Sequence, residues 1–284
     1  MSEAGKNRRD RAAAARDAAN AGEKKRERTV RIVGAITVVV VVVGIIGVAV
    51  IAKNQSGSST DTAAATATED PSAALPTGVL PSGEGWAYGV PYSTAASTAP
   101  VLEIWEDFQC PACQAVEKAN GAGIESLAEQ GKIQLIWRPT TFLDKNLGND
   151  SSARAVAAWG CAIDAGKAKE FHNTIYANPP ATEGDGFTDE QLIGFAEKSG
   201  VTGAALDTFK QCYTDRKYAG WASNSTAIFY SAKVAGTPYA VFNGVEVPTE
   251  TLVNQAALEK FIADQGASPA ASAGASAAAS PAAS

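Results

Sequence analysis

Twenty-one consecutive residues, Ile32 to Ala52 (IVGAITVVVVVVGIIGVAVIA), carry no charge. As a helix rising about 1.5 Å per residue, this run covers roughly 30 Å, the hydrocarbon thickness of a bilayer. It is far too long for a buried strand. Lys24, Lys25, Arg26, Arg28 and Arg31 precede it and Lys53 follows. The excess of positive charge on the N-terminal side places 1–31 in the cytoplasm and everything after Lys53 outside. The competing reading is a signal peptide cleaved after Ala52, but an apolar signal core is usually only ~7–15 residues long. The basic segment serves as an orientation signal or rests against anionic lipid.

Charge divides the chain at the same place. Residues 1–31 hold 10 lysines and arginines against 5 acidic residues, whereas 54–284 hold 13 against 25. A pI near 5.0 argues against nucleic acid as a partner. The segment 53–81 is rich in Ser, Thr, Ala, Gly and Pro and reads as a flexible tether. The tail 266–284 has no large apolar residue and reads as a disordered Ala/Ser/Pro segment. One globular domain remains, 82–265.

Within it, Val101–Phe108 reads as a strand and Pro111 as the first residue of a helix reaching about Glu129. Ile133–Trp137 is a second strand, so the unit is β-α-β with parallel pairing. Helical patterns then fill about 151–233, including a capping box at Thr188 and Gln191. Tyr239–Phe242 and Val245–Val247 flank Asn243-Gly244, a hairpin signature. Thr251–Ala263 is the closing helix.

All four cysteines, Cys110, Cys113, Cys161 and Cys212, follow the apolar run, and four cysteines allow three connectivities. Cys110-Pro111-Ala112-Cys113 sits where a strand hands over to a helix. The unpaired N–H groups and positive end of a helix favour an anion, which lowers the pKa of Cys110. Cys113 lies one turn deeper, placed to displace a partner from Cys110. The alternatives are a structural disulfide or half of a zinc site. Zinc needs further ligands close by, yet Cys161 and Cys212 are isolated and the single histidine is His172. His172 itself reads as a surface or packing residue of a helix. Three tripeptides with the glycosylation pattern, beginning at Asn54, Asn149 and Asn224, are expected to stay unmodified.

WEDFQCPAC, the helical block and GTPYAVFNG together resemble the DsbA-type thioredoxin-fold oxidoreductases, especially membrane-anchored actinobacterial members. The resemblance covers about residues 85–263. It implies an α/β thioredoxin fold with an inserted helical subdomain, preceded here by a single transmembrane helix. It implies that Cys110 is the nucleophile and Cys113 the resolving cysteine, with Pro111 and Ala112 completing the motif. Thr237 and Pro238 are then the cis-proline loop that binds substrate peptide. Cys161 and Cys212 correspond to a structural disulfide in actinobacterial relatives; the alternative is two buried thiols.

The implied activity oxidises cysteine pairs in exported proteins, with no cofactor and no metal. The implied reoxidant is a membrane quinone-linked oxidase of the vitamin K epoxide reductase type. A reductase or isomerase would use the same site, and a non-catalytic binding module is the reading from another class. Two positions depart from the family. Ala112 stands where many members have His, which implies a less oxidising pair. Ile104 stands six residues before Cys110, where thioredoxin-like proteins often bury an acid. Glu103 and Glu106 are expected to face differently from Ile104, so either a water or Glu106 is left to accept the Cys113 proton.

Protease protection of membrane vesicles is expected to leave the C-terminal tail accessible from outside and 1–31 only from the cytoplasm. A tail found on the cytoplasmic side overturns this topology.

Overall fold

The structure is a computed structural model that describes residues 68–93, 97–182 and 184–266. The basic segment, the apolar run Ile32–Ala52 and the 267–284 tail lie outside the described residues. Among the described residues no helix is long and apolar enough to cross a membrane.

Five strands form one sheet in the order β1-β3-β2-β4-β5: β1 Val90–Pro91, β2 Val101–Glu106, β3 Gln134–Pro139, β4 Tyr239–Phe242 and β5 Val245–Val247. β2 pairs with β3 in parallel, Ile104 opposite Trp137, and with β4 antiparallel, Ile104 opposite Ala240. The parallel pair needs a crossover. It is supplied by α1 (Pro111–Val116), a π turn (Glu117–Gly121) and α2 (Ala122–Glu129). The hairpin turn holds Asn243 and Gly244 at φ 48° and 84°, the left-handed pair that a type I′ turn requires.

Strand alternation sends Leu102, Ile104 and Glu106 to one face and Glu103 and Trp105 to the other. On the second face Arg138 pairs with Glu103 at 2.8 Å and stacks over Trp105. Glu106 therefore shares a face with Ile104, contrary to the sequence-based expectation. The period of two, rather than distance along the chain, decides the side. β2 also ends at Glu106, two residues short of the expected Phe108, because Asp107–Gln109 turn toward the next helix.

The helical block comprises α3 (Phe142–Leu147), α4 (Ser151–Asp164), α5 (Ala168–Ala177), α6 (Asp189–Lys198), α7 (Ala204–Thr214) and α8 (Ala219–Ser231). α4 is buried along most of its length, since alanines and Gly160 let neighbouring helices approach closely. α6 starts at the expected capping box: the Gln191 amide donates to Thr188 Oγ1, and the Thr188 amide donates to Gln191 Oε1. Cys161 of α4 and Cys212 of α7 form a disulfide that closes a loop of 51 residues. The closing helix divides into α9 (Thr249–Leu252) and α10 (Gln255–Gly266). α3 and the two-residue β1 were not expected, being too short for a periodic signal.

Residues 68–81, expected to belong to the flexible tether, pack on the domain. Asp70 and Asn224 exchange two hydrogen bonds of 2.8 and 2.7 Å. Asp164 accepts from the Thr77 amide and hydroxyl, and Val79 is buried. Small polar residues here tie to distant side chains, a pattern that composition alone does not reveal.

A closed loop of this size confines the unfolded chain, which the chain-entropy model values at about 4 kcal/mol. Replacing Cys161 and Cys212 together by Ala is expected to lower the unfolding free energy by up to that amount in denaturant titration. Exchange at Cys110 should persist in the variant, measured by thiol release from a small disulfide.

Candidate active site

The site starts from the turn after β2. Asp107 accepts the Gln109 amide on its side chain and the Cys110 amide on its carbonyl, both at 2.9 Å. This closes the turn and sets Cys110 as the N-cap of α1 at φ −77° and ψ 116°. Pro111 follows at the first helical position, where a missing N–H costs nothing. The helix then continues through Ala112 to Cys113.

Cys110 is 7% exposed and Cys113 is fully buried. Both are free thiols, so the described state is the reduced one. The Cys110 Sγ donates to the Thr237 carbonyl at 3.4 Å. Thr237-Pro238 is a cis peptide bond immediately before β4. The structure thus brings Cys110, Cys113, Thr237 and Pro238, named from sequence, to one place. Cys161 and Cys212 lie apart from them, bonded to each other.

The two thiols differ in acidity. Cys110 is lowered to about 6, chiefly by the hydrogen bond from the Cys113 thiol. Burial opposes this, and the Thr237 side chain and the amides of Cys113 and Ala112 add to it. Cys113 is held well above the ordinary thiol value, first by burial and then by the Cys110 charge that it supports. One sulfur is therefore a thiolate at neutral pH and the other a protonated reserve.

Sequence reasoning missed the polar network beneath the turn. Asp107 is fully buried and accepts from Ser152 Oγ at 2.5 Å and the Leu143 amide at 3.1 Å. Burial raises it to about 7, while these donors pull it down. The Gln109 side-chain amide donates to Asp144 at 2.8 Å and to Asn149 at 3.0 Å. Asn149 is thus a half-buried residue engaged in structural hydrogen bonds, and Asn224 is buried. A signal was present, since Asp two residues before a turn amide is a standard side-chain turn. Its partners lie more than 30 residues away, where no local pattern reaches.

A second missed group lies behind Cys113. Glu106 and His172 are buried, with His172 Nε2 at 2.9 Å from Glu106 Oε2. The side chain of Glu117, from the π turn, completes a set of three whose polar atoms lie within 4.8 Å of one another. His172 is a packing residue rather than a surface one, its ring 4.5 Å from that of Trp137 and 5.0 Å from that of Tyr176.

A thioredoxin-type sheet, a helical insertion, and a dithiol at a helix start facing a cis-proline define a thiol–disulfide oxidoreductase. A family model described as Thioredoxin matches residues 93–264, and the chain belongs to that family. Its fold is similar to that of the MdbA protein, a thiol-disulfide oxidoreductase from Actinomyces oris. The two are 24% identical, with a TM-score of 0.54 over 62% of this chain and 88% of that one. Reduced DsbA from Mycobacterium tuberculosis is 24% identical, with a TM-score of 0.53 over 64% of this chain and 94% of that one. The disulfide bond oxidoreductase DsbG from the same organism is 25% identical, with a TM-score of 0.53 over 67% of this chain and 95% of that one. Among curated proteins, the Na(+)/H(+) antiporter NhaA 3 of Salinispora tropica is 27% identical over 147 residues, 51% of this chain. The chain spans 20% of that protein's length, so no antiporter activity is carried over.

Because its largest stabilising contact is the Cys113 thiol, the Cys110 thiolate depends on that neighbour. Ultraviolet titration of the reduced protein is expected to give a midpoint near 6. In Cys113→Ala the midpoint should rise toward the free-thiol value of about 8.5. A wild-type midpoint at the free value, or no rise in the variant, contradicts the site as described.

Proposed function

We propose that the protein oxidises cysteine pairs in exported proteins, working outside the cytoplasm from a membrane anchor at Ile32–Ala52. The observation that carries this reading is the asymmetric dithiol: an acidic Cys110 that keeps a small exposed area over a fully buried, protonated Cys113. A stabilised thiolate makes the reduced form of the pair more favourable, so the disulfide form is the stronger oxidant. That favours oxidase over reductase or isomerase.

In the oxidised enzyme a substrate thiolate attacks the Cys110 sulfur. The bond between Cys110 and Cys113 breaks, a mixed disulfide forms, and Cys113 leaves as a thiolate that takes up a proton. A second substrate thiolate then attacks the substrate sulfur of the mixed disulfide. Cys110 departs as its stabilised thiolate, the substrate has lost two electrons, and the enzyme dithiol has gained them. Thr237 and Pro238 border Cys110, where an extended substrate segment would lie along the end of β4.

Return to the oxidised state requires a two-electron acceptor. We assign that role to a membrane quinone-linked oxidase of the vitamin K epoxide reductase type, which an anchor would keep in the same plane. The charge bracket around the apolar run supports the outside location. So does the Cys161–Cys212 bond, since structural disulfides persist chiefly in oxidising compartments.

The test is oxidative refolding of a reduced, disulfide-containing substrate beside insulin reduction. Faster refolding with weak insulin reduction is expected; the reverse pattern makes the protein a reductase, and neither activity makes it a binding module. Cys113→Ala should trap substrate as a stable mixed disulfide, whereas Cys110→Ala should trap little.

A further inference from the structure

Three separate elements send an acceptor group to one place inside the protein: Glu106 from the end of β2, Glu117 from the π turn and His172 from α5. Their polar atoms lie within 4.8 Å of one another. His172 Nε2 is 2.9 Å from Glu106 Oε2. The other oxygen of that carboxyl, Glu106 Oε1, has no hydrogen-bond partner, although the residue is only 4% exposed. Among the described residues neither acid pairs with a lysine or arginine.

The His172 ring is held so that it presents a lone pair. Its Nδ1 lies 3.2 Å from the Asn173 side-chain oxygen, so Nδ1 carries the hydrogen and donates it. Burial disfavours the imidazolium, which leaves Nε2 bare and turned toward Glu106. A histidine anchored through its far nitrogen is the arrangement that orients a metal ligand. Room is kept for Glu117 as well, since a Cβ at Gly121 would collide with its carboxylate. The π turn that carries Glu117 interrupts the helix here, and such turns frequently mark functional positions. Glu106 and His172 are buried, whereas Glu117 keeps part of its surface, which gives an ion a way in.

Two carboxylates and a bare imidazole nitrogen that face one another without a donor are costly to bury. A divalent cation removes that cost, because its two charges match the two carboxylates and it takes up all three lone pairs at once. The donor set selects the ion. One imidazole nitrogen with carboxylate oxygens suits a first-row divalent metal such as zinc, whereas calcium takes six to eight oxygens. Zinc holds such donors at about 2.1 Å, so they lie roughly 3.4 Å apart around it. The Glu106–His172 pair therefore opens by about half an ångström to receive the ion, and Glu117 closes on it.

We propose that Glu106, Glu117 and His172 bind one divalent ion of the zinc class, which ties the central strand, the crossover helix and the helical insertion together from the inside. Water completes the coordination, as it does at zinc sites with three protein ligands. The site uses neither cysteine. Its bonds form as the two acids give up their protons, and no electron changes hands. The ion therefore acts on the fold: it binds the native arrangement of three elements that are far apart along the chain, and so opposes their separation.

The test uses the untagged full-length chain in detergent, oxidised so that Cys110 and Cys113 are bonded to each other. With Cys161 and Cys212 already bonded, no thiol is then left to ligate a metal. The chain has a single histidine, so an imidazole signal belongs to His172. Equilibrium dialysis against zinc, and separately against cobalt, is expected to give one ion per chain. Zinc should shift the nitrogen-15 resonance of His172 Nε2 while Nδ1 keeps its hydrogen, and should raise the thermal unfolding midpoint. Glu117→Gln, at the half-buried member, should weaken binding at least a hundredfold, and Asn173→Ala, which frees the far nitrogen, about tenfold.

An oxidised protein that retains no ion overturns the proposal, and so does a bound ion that leaves the His172 resonance unmoved. Undiminished binding in Glu117→Gln overturns it as well. Binding found only in the reduced protein and lost on oxidation assigns the ion to the dithiol instead. None of these outcomes touches the thiol–disulfide exchange proposed above.

Discussion

The buried carboxylate of Asp107 joins the two halves of this domain. It receives Gln109 from its own turn, Ser152 from α4 and the Leu143 amide from α3, while its carbonyl fixes the Cys110 amide. Unpaired, such a group would be costly at zero exposure. With three donors it becomes a rivet between the end of the central strand and the helical insertion. The direction of α1, and hence the placement of Cys110 at its positive end, follows from that turn.

Around this point, burial does different work at each titrating group. At Cys113 it opposes ionisation, and at Cys110 it is outweighed by hydrogen bonds to the thiolate. At Glu106 and Glu117 it has little to oppose it, and the acids hold their protons. The same low polarity thus produces a nucleophile, a reserve thiol and neutral acids in one domain. The difference lies in which groups find donors. The Cys113 thiol, with Thr237 and the amides of the helix start, donates to Cys110; around His172 the interior supplies aromatic rings from Trp137, Trp159 and Tyr176.

The insertion is held by more than apolar contact. The Cys161–Cys212 bond ties α4 to α7, and Arg154 of α4 reaches Asp150, Asp189 and the Phe187 carbonyl. Residues 68–81 close over α4 and α8 through Asp164 and Asn224. These ties make α4 a fixed floor on which Ser152 can meet Asp107. The redox turn is shaped by the insertion as much as by the sheet.

Much of this was legible in the chain. The crossover strand and helix, the Cys-Pro-Ala-Cys handover, the capping box at Thr188 and the Asn-Gly hairpin rest on local rules, and a local rule needs only neighbouring residues. The pairing of Cys161 with Cys212 and the role of the Thr237-Pro238 loop came from resemblance, since no spacing dictates either. The side of the sheet that Glu106 faces was readable by alternation and was misjudged. What the amino-acid order determined by itself is where the reactive dithiol sits and why its first sulfur is the acidic one. Only the tertiary structure decided what surrounds it: the partners of Asp107, the packing of 68–81, and the meeting of Glu106, Glu117 and His172. The physical reason is range. Helix ends and turns act over a few residues, whereas a buried proton or carboxylate is governed by whatever the fold brings within hydrogen-bond distance.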